Sequence, residues 1–142
     1  MTIVQRKVQT GHYETFIHEG GTENKDAVIL IHGSGPGANA KANWQFVLED
    51  YAKDFHVIAL DLVGFGDTDH PEVYPENGVQ WMSMRVKQVL DLMDALNIEK
   101  ANLIGNSLGG VVSMYLNMEA PHRFNKIVLM GAGVLLKEPT PE

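Results

Sequence analysis

The spacing of apolar and polar residues changes along the chain. "TIVQRKVQT" (2–10) and "HYETFIHEG" (12–20) alternate with a period of two, with Gly11 between them. That pattern predicts two antiparallel strands joined by a tight turn. "AVILIH" (Ala27 to His32) is a continuous apolar run, as expected of a strand buried on both faces. "FHVIALDL", "KANLIGN" and "NKIVLMGAG" read the same way. Between these runs the period is helical. In "KANWQFVLEDYAKD" (41–54), Trp44, Val47, Leu48 and Tyr51 fall on one side. From Val79 to Asn97 the apolar positions are Met82, Val86, Val89, Leu90, Met93 and Leu96. "SLGGVVSMYLNMEAP" predicts a helix stopped before Pro121. The order is an antiparallel hairpin followed by strands alternating with helices. This predicts an α/β fold with a mostly parallel sheet of about six strands, covered by helices on both faces.

In such sheets ligands bind at the carboxyl ends of the strands. Three loops leave those ends: the glycine-rich "GSGPGANA", the long polar loop "DLVGFGDTDHPEVYPENG", and the turn at Ser107. Gly105-Asn106-Ser107-Leu108-Gly109 fits G-x-S-x-G, which chance places in a chain this long about one time in twenty. Its context adds weight, because it follows an apolar strand and opens a helix, as a nucleophile elbow does. A helix start also directs free N–H groups and a positive dipole end at a developing oxyanion. Other readings of the same residues are an N-cap serine beside packing glycines, or a phosphate loop. "GNSLGG" has neither the lysine of a P-loop nor the spacing of a dinucleotide fold. The "IHGSGPG" loop adds the second donor expected in this architecture, so the N–H groups of Ser34 and Leu108 would bracket a carbonyl oxygen.

Composition narrows the reading further. The chain has 142 residues, 44% of them apolar, a formal net charge of −7 and no cysteine. One compact domain, 1–142, is expected. The negative charge speaks against nucleic-acid binding. The missing cysteines remove disulfides and thiolate metal sites, and no metal or cofactor is expected. No apolar run nears the roughly 20 residues of a membrane span, and the N-terminus has no signal-peptide pattern. A cytoplasmic protein without membrane partners is expected.

With these motifs in place, the chain resembles the α/β-hydrolase superfamily. More narrowly it is similar to the amino-terminal half of the meta-cleavage-product hydrolases, which cleave carbon–carbon bonds in 2-hydroxy-6-oxo-dienoates. The resemblance rests on "LIHGSGPGANAKANW", "VIALDLVGFGDTD", "LMDALNIEKANLIGNSLGG" and "IVLMGAG". It implies Ser107 as nucleophile, Ser34 and Leu108 as oxyanion donors, Asn43 and Asn106 as substrate contacts, and His32 as a structural loop histidine. The family's lid, its last strands and its catalytic acid and histidine have no match here, so the expectation is a truncated core domain.

A substitute base must then come from six histidines. His12 and His18 are expected to face solvent on the hairpin, and His56 and His122 to lie at the far end. His32 and His70 remain, both at the carboxyl edge, each with the alternative of an ordinary loop histidine. Asp61, Asp67 and Asp69 are expected in a solvated loop, and Glu138 in the tail. The expected activity is weak, promiscuous hydrolysis of small activated esters. The alternative is an inactive portion that needs a complementary half. The flat apolar strand near Asn125–Gly131 would be an exposed edge, predicting a homodimer or larger homo-oligomer joined there.

Overall fold

The computed structural model describes residues 2–132. Strands β1 (Val4–Thr10) and β2 (Tyr13–Gly20) form the predicted hairpin. Strands β3 (Ala27–Ile31), β4 (His56–Leu60), β5 (Ala101–Asn106) and β6 (Phe124–Met130) are the four apolar runs. The six-stranded sheet has the order β1-β2-β4-β3-β5-β6. β2 pairs antiparallel with β4, and β4, β3, β5 and β6 run parallel.

Alternation within the buried strands sends side chains to two cores. Ile29, Ile31, Ile58, Leu60 and Leu103 face one side, where Val86, Val89, Leu92 and Met93 of α3 (Gly78–Ala95) and Val112 and Leu116 of α4 (Leu108–Glu119) cover them. Val28, Leu30, Val57 and Ala59 face the other, against Ala40, Trp44, Leu48 and Ala52. That second layer departs from expectation. The single helix predicted over 41–54 is two short ones, α1 (Ala40–Trp44) and α2 (Leu48–Ala52). Val47 donates to the Trp44 carbonyl at 3.0 Å, an i→i+3 bond, and its φ of −116° departs from helical values. The break leaves Phe46 exposed while Trp44 and Leu48 both stay buried.

His18 is a second departure. It is buried, not solvent-facing, because β2 is an interior strand with β4 on its other side. Asp61 is likewise buried rather than solvated. Among the described residues β6 is the edge of the sheet, with Val128, Leu129 and Met130 exposed. Beside it, on the α1/α2 face, runs a groove of about 720 Å³ lined by Val28, Tyr51, Phe55, Ile104, Lys126 and Val128. No helix of the described residues is long and apolar enough to cross a membrane.

Candidate active site

β5 ends at Asn106 and α4 begins at Leu108, so Ser107 alone turns the chain from strand to helix. The turn forces Ser107 to φ 52° and ψ −111°, a left-handed conformation that costs a non-glycine residue about 1–3 kcal/mol. Its side chain makes no capping bond, which removes the N-cap reading, and the residue is exposed. The flanking glycines are required by space. A Cβ at Gly105 would stand 2.3 Å from the Gly109 carbonyl oxygen, and one at Gly109 would stand 2.0 Å from the Ile31 oxygen. The Ser107 N–H donates to the Met130 carbonyl of β6 at 2.8 Å, and its own carbonyl accepts from Gly110 at 2.9 Å. The turn is therefore tied to strand and helix together. Leu108 is the first residue of α4, so its N–H has no partner within the helix.

The loop after β3 meets this turn. A Cβ placed on Gly33 would lie 3.4 Å from the Ser107 Cβ. Gly33 N–H donates to Asn43 Oδ1 at 3.0 Å, and Asn106 Nδ2 donates to the same oxygen at 2.9 Å. With Gly33 committed, Ser34 carries the next N–H along the loop, and it is exposed. Ser34 in the loop after β3, Asn43 in α1, and Asn106, Ser107 and Leu108 at the β5–α4 turn thus lie on segments in contact.

Asn43 is placed by the start of α1. The Asn39 side chain caps that helix by accepting from Ala42 N–H at 2.8 Å. Buried Asp61 accepts from Ala40 N–H at 2.8 Å and from Asp67 N–H at 2.9 Å. Its backbone carbonyl accepts from Thr68 Oγ1 and from Gln88 Nε2. Gln88 is fully buried in α3 and also accepts from Val63 N–H at 2.8 Å. Asp61, expected from the sequence in a solvated loop, and Gln88, which sequence reading passed over, are organising residues. A glutamine between Val86 and Val89 on a buried helix face was the available signal.

His32 is fully buried with both ring nitrogens engaged. Leu62 N–H donates to Nε2 at 2.9 Å, which leaves Nδ1 as the protonated nitrogen, donating to the Gly33 carbonyl at 2.6 Å. Burial pushes its pKa below the ordinary imidazole value. Phe65 packs edge-on against the ring at 5.1 Å. His32 is therefore a loop brace and not a substitute base.

His70 is exposed and lines a different groove, with Lys7, Tyr13, Asp69 and Glu72; Ser107 is not in that lining. Asp69 is bound to Lys7 at 2.8 Å and to Glu14 N–H at 2.9 Å, and these two contacts hold its carboxyl below the usual range. His56 pairs with Glu19 at 2.7 Å, at the amino end of β4. Glu138 lies outside the described residues.

Comparison with known proteins identifies the fold. A family model described as alpha/beta hydrolase fold matches residues 26–142. The chain is 40% identical over 129 residues to 2-hydroxy-6-oxo-2,4-heptadienoate hydrolase of Pseudomonas putida, covering 91% of this chain and 45% of that one. It is 39% identical over 132 residues to 2-hydroxymuconate semialdehyde hydrolase of Pseudomonas sp. strain CF600, covering 92% and 44%. The solved 2-hydroxy-6-oxo-6-phenylhexa-2,4-dienoate hydrolase from Rhodococcus sp. strain RHA1 superposes with a TM-score of 0.89 at 42% identity, over 92% of this chain and 47% of that one. The chain thus spans less than half the length of these relatives.

Proposed function

The chain belongs to the α/β-hydrolase fold family, and from that premise we propose that it is a serine hydrolase core whose own activity is slow hydrolysis of small activated carboxylic esters. The observation that carries this reading is Ser107 held at a positive φ with an exposed, uncapped side chain. Ser107 Oγ adds to the ester carbonyl carbon and its proton passes to water. The carbonyl oxygen, now an oxyanion, accepts from Leu108 N–H and Ser34 N–H. The alcohol leaves, and water then hydrolyses the acyl-serine. His32 has both ring nitrogens engaged and His70 lines another groove, so no base is assigned to Ser107 and a low rate is expected. Oxyanion stabilisation and binding alone leave roughly 10³–10⁴-fold catalysis over water. Carbon–carbon cleavage of a 2-hydroxy-6-oxo-dienoate, the type of substrate two of the relatives are named for, needs in addition a base delivered to Ser107. The test is hydrolysis of p-nitrophenyl acetate by the parent and by Ser107→Ala side by side. A clear loss in the variant supports the reading, and equal rates contradict it.

A second reading is favoured by β6. Among the described residues β6 is an edge strand with Val128, Leu129 and Met130 exposed, beside an apolar groove. In this reading the chain is catalytically incomplete and β6 pairs with another polypeptide, a second copy or a complementary carboxyl-terminal half. Light scattering tests the second copy, and a monodisperse monomer excludes it. Fast hydrolysis on mixing with the carboxyl-terminal half of the Pseudomonas putida relative favours the complementary half.

A further inference from the structure

Asn43 has been read above as a substrate contact, but its hydrogen bonds give it another task. Gly33 N–H can only donate, so the Asn43 atom facing it at 3.0 Å must be the carbonyl oxygen Oδ1. The Asn106 atom 2.9 Å from that same oxygen must then be the amide nitrogen Nδ2. One acceptor therefore joins three segments: the loop after β3, the end of β5 beside Ser107, and helix α1. The contact is partly buried, where a shared acceptor is worth more than in water. Beyond the β3–β5 ladder, which ends at Ile31 and Gly105, it is the side-chain link between Gly33 and Asn106 among the described residues.

We propose that Asn43 is a positioning residue, a clamp that fixes the distance between the two halves of the oxyanion hole by holding Gly33 N–H and the Asn106 side chain on one oxygen. The proposal rests on the reading of Ser107 as nucleophile and goes beyond it. The Ser34 N–H follows Gly33 in the loop, and the Leu108 N–H follows Asn106 and Ser107 in the turn. A shift of the Gly33 loop relative to Asn106 therefore changes the spacing of the two donors directly. Since Oδ1 is already used twice, Asn43 can offer a substrate only its amide N–H groups.

The test uses the intact chain and two variants. Asn43→Ala removes the acceptor. It is expected to lower kcat for p-nitrophenyl acetate about tenfold to a hundredfold, less than or equal to the loss of an oxyanion donor outright, with KM changed by no more than about twofold. The Gly33 amide is expected to exchange with solvent at least about tenfold faster, read by NMR. Asn43→Asp keeps an acceptor for both donors and is expected to retain slow exchange at Gly33. Its added charge opposes a nearby oxyanion, so this variant is read by exchange alone. Unchanged exchange in Asn43→Ala overturns the clamp. So does an unchanged kcat with a raised KM, which marks a simple substrate contact. If parent and Ser107→Ala hydrolyse the ester equally fast, the nucleophile reading fails, while exchange at Gly33 still decides whether the clamp exists.

Discussion

The two strands at one end of the sheet, β5 and β6, are neighbours with opposite character. At the end of β5 the backbone of Ser107 is committed while its side chain is free. Ser107 is tied to β6 through its N–H and to α4 through its carbonyl, its glycine neighbours fill gaps no side chain could enter, and Asn43 holds the facing loop. Along the neighbouring β6, among the described residues, the outer edge pairs with no strand and three apolar side chains are exposed. The difference teaches which part of the chemistry this chain carries by itself. The Ser107 turn and the loop facing it are held together by bonds within residues 27–130, one of them to the Met130 carbonyl of β6 itself.

The contrast can be broken most sharply at glycine. Gly109→Ala would drive a Cβ to 2.0 Å from the Ile31 oxygen, backbone against backbone. The expected outcome is loss of the folded state, or destabilisation above about 4 kcal/mol, in thermal or urea melts. Gly131→Ala at the end of β6 meets no atom within 4 Å and carries only the strain of φ 55°. It should cost about 1 kcal/mol. Similar losses for the two would erase the distinction.

Two aspartates in one loop give the next test. Asp61→Ala leaves the N–H groups of Ala40 and Asp67 without their acceptor, at about 1–3 kcal/mol each. Asp69→Ala gives up an exposed pair with Lys7 and a backbone contact, and about 1 kcal/mol or less is expected. Urea midpoints of the two variants check this, and a larger loss at Asp69 would contradict it.

A smaller effect is set by pH. His32 and His18 both have pKa values lowered by burial, so the unfolded chain takes up protons before the native one. Their contribution to stability is complete above the ordinary imidazole value of about 6.5 and is lost as pH falls through the lower native values. Urea unfolding at about pH 7.5 and about pH 5.5 should show weaker folding at the acid value. A flat profile would mean that the His32 bonds to Leu62 and Gly33 do not hold in solution. The smallest effect is a gain: Ser107→Gly relieves the positive φ and should stabilise the chain by about 1 kcal/mol while abolishing Ser107 chemistry.

What could be read from the sequence follows the same division. The runs at 27–31, 56–60 and 101–106 announce buried strands because their pattern is local, the run at 124–130 is a strand but a largely exposed one, and "GNSLGG" announces the turn because its glycines are needed within the motif itself. The break after Trp44 was hidden, since helical spacing continues through Phe46 and only the i→i+3 turn at Val47 interrupts it. His18 looked like a hairpin surface residue because nothing in its own strand says that β4 lies on the far side. His32 looked available until both nitrogens were found engaged, by Leu62 thirty residues away and by its neighbour Gly33. Asp61 carried no local mark of burial, for its partners come from α1 and from across the loop. For His18, His32 and Asp61 the missing information was the identity of a partner distant in sequence, whereas the break after Trp44 is local.

The most direct test of the central claim is to locate the acyl group. The chain is mixed with p-nitrophenyl acetate, quenched in acid and mapped by peptide mass spectrometry beside Ser107→Ala. The account predicts acetyl on the peptide containing Ser107, absent from the variant, together with a fall in ester hydrolysis. Acetyl on a lysine or histidine instead, with hydrolysis unchanged in Ser107→Ala, would show that the strained serine turn does no nucleophilic chemistry in this chain.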